Sequence, residues 1–454
     1  MNYNLLVVKD FKVKLSMLNN FLNSNFFKIN HLVLFFLVFT ITRLIIFNIL
    51  EIRINPPNYG YHLLDIELLK NDLIQSLIFL HSQPPFFNLY QGIFLKIFDT
   101  QNQIAISFNI MQSFFSLGII YISYLISDFF KLSLNQKSLL LLILIFNPSI
   151  IFYENLFSYH LLTALLFVLF SYYLFKYFYE KNKKYEILIY VIISFLCLTW
   201  GFFQPILIIF FYICFRLIDR LFSKKIFILT MICLLFASTS HIKNKIIFGS
   251  FSSSSWTGQG FSTVFINDWR DYCGESLIDQ KFYQKKYEET FKKKFTHPSL
   301  IGDKARYNNI GLIYKSPMCF KMTLDKIKQQ PVDYIESRTL AFLASHGKFA
   351  FDFVYPNPSG WLKYYGSIKK LYKNENIKLF RQICVFTLNI FIYAIMVKLI
   401  FFSNYSLDFR ISIFFIGLAY MYLFSISFLF SCCEQERMLF TGYIKEILFI
   451  IYII

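Results

Sequence analysis

Long apolar segments alternate with shorter polar ones along most of this chain. Ten segments are apolar over roughly the length that crosses a bilayer, although several reach only about 15 residues. They lie at 31–50, 104–127, 137–153, 158–178, 185–200, 203–216, 225–241, 380–402, 410–432 and 439–454. This pattern predicts an all-α polytopic membrane protein with about ten transmembrane helices, some of them tilted or next to re-entrant structure.

Two long polar interruptions divide the apolar pattern. The first covers 51–103 and the second covers 242–379. We therefore predict four parts in the chain. They are an N-terminal segment (1–30), a transmembrane module (31–241) that includes the first interruption, a large helical loop (242–379), and C-terminal transmembrane helices (380–454).

The basic residues indicate which side of the membrane each connection faces. Lys and Arg precede the first apolar segment and recur in the connections after the second, fourth and sixth, whereas "YENLFS" and "WGFFQ" contain none. Because Lys and Arg are enriched in cytoplasmic loops, we expect a cytoplasmic N-terminus and place both interruptions on the outer face. This arrangement requires residues 84–98 to lie in the membrane interface, or to dip into it, without crossing.

The composition supports a membrane protein and limits its partners. The chain is 56% hydrophobic and 16% charged, with a mean hydropathy of +0.50, which is too apolar for a soluble globule. A net charge of +18 would indicate nucleic acid binding in a soluble protein. Here the lysines flank apolar segments, so we expect membrane lipids as partners and no nucleic acid.

The eight cysteines show no metal-binding spacing, because no two of them form a CxxC pair. Cys273 and Cys319 fall in the second interruption. They could form a disulfide if that segment faces an oxidising compartment.

Three acidic residues stand out in the first interruption. Residues 61–80 have apolar side chains at helical spacing, which predicts an amphipathic helix on the membrane surface. Asp65 and Asp72 are seven positions apart and would share a face of that helix, while Glu67 would point elsewhere. Such acids either hydrate the polar side of the helix, act as a general base, or hold a divalent cation.

The stretch "HSQPPFFNLY" follows directly. His81 and Gln83 precede the consecutive prolines Pro84 and Pro85. Proline is tolerated in the first turn of a helix because no intrahelical amide bond is lost there. We expect the prolines to begin a helix and the two polar side chains to line a cleft at its tip.

Four segments together resemble the membrane glycosyltransferases with the GT-C fold. This group includes the protein mannosyltransferase-like proteins, which are similar to glycosyltransferase family 39, and the aminoarabinose transferase-like proteins. The segments are "LLDIELLKNDLIQSLIFLHSQPPFFNLYQGIFLKIF", "NPSIIFYENLFSYHLLTALL", "KNKIIFGSFSSSSWTGQGFS" and "EQERMLF". The resemblance implies seven shared transmembrane helices with large outer loops after helices 1 and 7, which agrees with the two interruptions.

The resemblance also implies an activity. It implies transfer of a hexose or pentose from a polyprenyl-phosphate-type lipid donor to a hydroxyl of a glycan, lipid or protein acceptor, at the outer face of a bacterial cytoplasmic (inner) membrane. The family's catalytic acid would fall on Asp65, with Glu67 and Asp72 as the second and third choices. The chain departs from the family pattern at Ile66, which separates two acids that are adjacent in many relatives, and at Gln83, where some relatives carry Lys.

A single inverting displacement at the anomeric carbon assigns further roles. Asp65 would take the proton of the acceptor hydroxyl, and His81, Lys243 or Arg437 would offset charge on the leaving phosphate. Other substrate-binding candidates at the predicted outer ends of the helices are Gln83, Glu154, Trp256 and Glu434.

A divalent metal ion is a possible cofactor, and no other cofactor is indicated. Asp65, His81, Glu154 and His160 could hold such an ion, since carboxylates and imidazoles are common ligands. For His160, a hydrogen bond to a backbone carbonyl explains the residue equally well.

Two features allow more than one interpretation. Arg43 lies within the first apolar segment, so it is either a functional residue or one whose side chain reaches up to the interface. The segment "GSFSSSSWTGQG" is either a flexible linker or a loop whose amides surround a phosphate.

Two alternative functions compete with the transferase. A transporter or flippase for a lipid-linked saccharide should show paired halves and helices broken at mid-bilayer, and the sequence shows no internal repeat. The second alternative is a catalytically inactive membrane assembly protein that would use the large loop as a docking surface. Nothing in the sequence excludes it.

Overall fold

Every regular element that the structure describes is a helix. The computed structural model describes residues 25–49, 63–219, 223–262, 264, 280–346 and 394–430. The helices are α1 (Asn25–Asn48), α2 (Ile66–Asn71), α3 (Leu73–Ile78), α4 (Phe86–Ile97), α5 (Gln101–Phe129), α6 (Leu134–Ile145), α7 (Pro148–Glu154), α8 (His160–Glu180), α9 (Lys183–Thr199), α10 (Ile206–Asp219), α11 (Lys224–Ala237), α12 (Thr239–Phe248), α13 (Thr257–Ser262), α14 (Gln280–Phe291), α15 (Gly311–Gln329), α16 (Pro331–His346) and α17 (Leu407–Phe430).

Two described helices, α5 and α8, are long and apolar enough to cross a membrane. The pairs α6–α7 and α11–α12 are bent by 46° and 47° and add two more crossings if each pair is one span. The described residues thus hold two to four candidate spans, fewer than the ten that the apolar pattern predicts. The predicted span at 439–454 lies outside the described residues.

The starts of several helices follow from local sequence. Thr100 begins α5 and Ser133 begins α6, each in a capping box with the Gln three positions later. Such boxes satisfy amide groups that the first helical turn leaves without partners. Asn147 accepts hydrogen bonds from the first amides of α7, whose first residue is Pro148.

Helix α8 occupies the centre of the bundle and packs against α5, α9 and α17. Polar side chains of α5 form hydrogen bonds with backbone carbonyls around the turn that joins α7 to α8. Asn109 donates a hydrogen bond to the Glu154 carbonyl at 3.2 Å, and Gln112 donates one to the Ser158 carbonyl at 2.8 Å. In an apolar environment such bonds hold neighbouring helices together.

The helix expected after the two prolines is present as α4. Its 12 residues extend about 18 Å, which is too short for a hydrocarbon core of about 30 Å. The single amphipathic helix predicted for 61–80 is wrong in part, because the chain breaks at Asp72 into α2 and α3. Asp65 and Asp72 therefore do not share one continuous helix face.

The described part of the large loop forms helices and a small core of its own. Phe248, Tyr287, Leu300, Ile310 and Ile313 are buried together, and Phe79 from the first loop packs against them. Helix α15 ends at Gln329 and Pro331 begins α16, since proline loses no intrahelical amide bond in a first turn.

Cys319 in α15 is buried and disulfide-bonded. Cys273, which the sequence offers as a partner for it in an oxidising compartment, lies outside the described residues.

Candidate functional site

The turn at His81 and Ser82 is held by a side chain from the large loop. Asn308 Oδ1 accepts hydrogen bonds from the backbone amides of His81 (2.9 Å) and Ser82 (3.0 Å). Its Nδ2 donates to the carbonyls of Phe79 (3.0 Å) and Ser299 (2.9 Å). One buried amide thus satisfies four backbone groups and joins two segments more than 200 residues apart.

The serine-rich segment lies on the same turn. The amide of Ser255 donates to the His81 carbonyl at 2.9 Å, and the Ser254 hydroxyl donates to the Ser82 carbonyl. The Ser255 hydroxyl and His81 Nδ1 share a hydrogen bond of 2.7 Å. We call residues 63–84, 252–258 and 297–308, which meet here, the polar rim.

Gly258 fixes where the serine-rich segment meets α15. A Cβ atom at this position would lie only 1.8 Å from the carbonyl oxygen of Ser316, while the Gly258 amide donates to the Ser316 hydroxyl at 2.8 Å. Only glycine permits so close an approach of two backbones. The segment is therefore docked against α15 at this point.

His81 is 1% exposed and uncharged at neutral pH. Burial, together with the nearby positive charge of Lys243, lowers the pKa of His81 to about 3. The prediction that His81 offsets phosphate charge is therefore unsupported, since a neutral imidazole carries no charge. Its buried Nε2 has no hydrogen-bond partner in the part of the chain that the structure describes, so it can still bind a polar atom of a ligand.

Lys243 lies beside this turn and caps α3. Its ammonium group donates to the carbonyl oxygens of Leu77 (3.4 Å) and Leu80. The Leu77 carbonyl lies in the last turn of α3 and the Leu80 carbonyl lies just beyond it, and a basic side chain is favourable at such a helix end. Lys243 thus places its amino group close to His81, but the side chain is already engaged by these two carbonyls.

Asp65, the favoured catalytic acid, caps the start of α2. Its Oδ1 accepts hydrogen bonds from the amides of Glu67 (3.1 Å) and Leu68 (3.3 Å), and the residue is 9% exposed. A carboxylate has further lone pairs with which to accept a proton. The role of Asp65 as a base stays a prediction.

Glu67 pairs with Lys304 of the large loop. The hydrogen bond from Lys304 lowers the pKa of Glu67, and the same bond, with a smaller contribution from the charge of Asp65, raises the pKa of Lys304. Lys304 therefore places a positive charge on Glu67 and within electrostatic range of Asp65.

Asp72, the third acid, bonds to a histidine of the large loop. Its Oδ2 lies 3.1 Å from His297 Nε2, and His297 Nδ1 lies 2.6 Å from the hydroxyl of Ser299. The ring of His297 also packs against Phe79 in a tilted arrangement, with centroids 4.8 Å apart. This chain of contacts accounts for Asp72 as a link between the two loops.

Gln83 and Trp256 both lie within the polar rim. Gln83 is half-buried beside the His81 turn. Trp256 donates from its indole nitrogen to the Tyr307 carbonyl at 2.8 Å, and the two rings lie 5.7 Å apart. Trp256 is thus held by a later part of the same large loop.

Glu154, predicted to bind substrate or metal, is the partner of Arg43. Both carboxylate oxygens accept hydrogen bonds from the Arg43 guanidinium at 2.7 Å, and Arg43 donates a third bond to the Ile145 carbonyl at 2.6 Å. Arg43 and Glu154 are 3% and 0% exposed. Arg43 therefore does not reach up to the interface, and Glu154 is committed to joining α1 to α7.

His160 packs among aromatic rings. Its ring centroid lies 4.7 Å from Tyr159, 5.0 Å from Tyr153 and 6.0 Å from Trp200. Among the described residues, which include all four predicted ligands, no three His, Cys, Asp or Glu side chains are grouped to hold a metal ion. The residues present do not fit the predicted metal site.

Glu434 and Arg437 lie outside the described residues. Three residues that were not predicted as site residues also contact the first loop: Asn308, Lys304 and His297. No spacing or motif relates these residues to "HSQPP". The only local signal is the polar run "RYNNIG" before α15, typical of a helix start.

Comparison with known proteins adds no relative. No protein-family model, no curated protein and no solved structure matches this chain. The resemblance to GT-C glycosyltransferases rests on the four quoted segments, and what it implies stays a prediction.

Proposed function

We propose that this chain is an integral membrane glycosyltransferase that moves a sugar from a polyprenyl-phosphate-type lipid to an acceptor hydroxyl at the polar rim. One observation carries the proposal: Lys304 of the large loop lies against Glu67 and close to Asp65 of the first loop. The ion pair with Glu67 thereby keeps a cation within electrostatic range of the proposed base Asp65. The order of segments that resemble GT-C enzymes supports the same activity.

The chemistry of a single displacement uses both charges. The acceptor oxygen forms a bond to the anomeric carbon as the bond from that carbon to the donor phosphate breaks. Asp65 takes the acceptor proton, and Lys304 offsets the charge on the departing phosphate. The anomeric centre inverts, and no step requires the predicted metal ion.

The test compares two acids of the same loop in cells. Asp65→Asn keeps a good helix cap, because Asn also accepts amide hydrogen bonds, and it removes the base. We expect the lipid-linked sugar to accumulate and the glycosylated product to fall about 100-fold or more. Asp72→Asn serves as the matched control, since Asp72 is engaged by His297.

Both variants are produced in cells that lack the native gene, and their amounts in the membrane are compared by immunoblotting. Wild-type product levels with Asp65→Asn would remove the proposed base. If neither the wild-type protein nor the variants restore a sugar product in these cells, the catalytically inactive assembly protein is favoured.

A further inference from the structure

A basic cavity opens at the end of the bundle where α8 leads into α9 and α10 leads into α11. Its volume is about 520 Å³. Four basic side chains line it, together with two isoleucines and a serine: Lys183, Lys184, Arg216, Lys225, Ile187, Ile226 and Ser223. We call this cavity the basic pocket.

Two of the four cations are neutralised by acids. Lys183 pairs with Asp219, and Arg216 pairs with Glu186, which is fully buried. Glu186 also accepts a hydrogen bond of 2.8 Å from the hydroxyl of Tyr190. These contacts fix one wall of the basic pocket.

The other two cations have no such partner. Among the described residues, neither Lys184 nor Lys225 forms an ion pair or a side-chain hydrogen bond, and both are exposed. They come from the first turns of α9 and α11, on two sides of one cavity. Within the described residues, the basic pocket therefore carries two positive charges that no acidic side chain pairs.

An apolar stripe begins at one of these lysines. Ile228, Ile232 and Leu235 follow Lys225 on α11 at positions i+3, i+7 and i+10, which share one helix face. These three side chains are 48%, 55% and 62% exposed. A basic cavity followed by an exposed apolar stripe matches a ligand that has a negatively charged end and a long apolar tail. It matches a soluble anion less well.

The basic pocket lies far from the polar rim. It is at the start of α9, whose 17 residues extend about 25 Å, and the far end of α9 leads to Gly201. A Cβ atom on Gly201 would lie 3.3 Å from Ser254 of the polar rim. The two sites are thus at opposite ends of the same helix.

We propose that the basic pocket binds the phosphate headgroup of an anionic phospholipid whose acyl chains lie along the apolar stripe of α11. Lys184 and Lys225 contact the phosphate, while Lys183 and Arg216 shape the cavity. Basic pockets between helices at a membrane surface are suited to such headgroups. The proposal requires that the helices lie in a bilayer, but it does not depend on sugar transfer.

The experiment measures lipid binding to the full-length protein in detergent by native mass spectrometry. The probes are dioleoylphosphatidylglycerol and uncharged-headgroup dioleoylphosphatidylcholine. Wild-type protein should bind the anionic lipid about 25-fold more tightly. Each lysine next to an anionic headgroup contributes about a factor of five, so Lys184→Ala/Lys225→Ala should bind it about 25-fold more weakly.

Lys224→Ala is the matched control, because Lys224 is the neighbour of Lys225 and does not line the cavity. It should retain the wild-type affinity, and Lys184→Arg/Lys225→Arg should retain most of it. Equal binding of both lipids, or an equal loss in Lys224→Ala, would overturn the proposal. Displacement of the lipid by excess inorganic phosphate alone would assign the pocket to a soluble anion and overturn it as well.

Discussion

Acidic residues inside the bundle and at the polar rim are held in different ways. Glu154 is 0% exposed, and both of its oxygens bind the Arg43 guanidinium. The side chains of Glu67 and Lys304 are 70% and 47% exposed. Buried charges depend on each other because neither can be hydrated, whereas water screens an exposed pair. The interior acid therefore belongs to the scaffold, and the rim acid can exchange its partner for a substrate.

The largest expected effect tests the interior pair. Arg43→Met leaves the Glu154 carboxylate buried without a counter-charge, which should lower the free energy of unfolding by about 3–5 kcal/mol. The yield of detergent-solubilised protein and its thermal melting temperature are the measurements. The double variant Arg43→Met/Glu154→Leu removes both charges and should recover most of the loss. If Arg43→Met is as stable as the double variant, the assignment of Glu154 to the scaffold is wrong.

A smaller effect is expected where a neutral side chain holds the polar rim together. Asn308→Ala leaves four backbone groups without partners and should cost about 3 kcal/mol in unfolding free energy. Asn244→Ala is the control, because Asn244 donates a single bond to the Ser252 carbonyl and its loss should cost about 1 kcal/mol. Equal melting temperatures for the two variants would argue against the idea that Asn308 holds the two segments together.

The third effect in size is the change of folding stability with pH that His81 causes. Its folded pKa of about 3 is below the ordinary 6.5, so the unfolded chain binds a proton in this interval and the folded chain does not. Stability should therefore fall as the pH decreases from 6.5 towards 3, by about 2 kcal/mol at pH 5. His81→Gln removes the titrating group. Melting curves at pH 7 and pH 5 should show a smaller acid loss in this variant, and an unchanged loss would show that other groups cause it.

The smallest effect is expected for the exposed pair. Glu67→Gln should leave the melting temperature unchanged, because a solvated ion pair adds little to stability. The same measurement on Arg43→Met gives the contrast between the two regions. A large drop with Glu67→Gln would mean that the pair at the polar rim is as structural as the pair in the interior.

Several local features could be predicted because short-range physics controls them. The helix after Pro84 and Pro85, the proline break before α16 and the capping residues of α5 and α6 all depend on residues within one turn. The break of the helix at Asp72 could not be predicted, because the apolar residues keep helical spacing on both sides of it. There the Asp72 carboxylate bonds to His297, 225 positions later.

The sequence by itself determined an all-helical chain with apolar segments of membrane length, since periodicity and hydropathy are local properties. Only the tertiary structure decided what each polar residue does. Glu154 and Glu67 are both acids near helix ends, yet one is bound by a buried arginine and the other by an exposed lysine. The difference arises because the environment of a charge depends on which distant segments pack around it, and no local pattern encodes that.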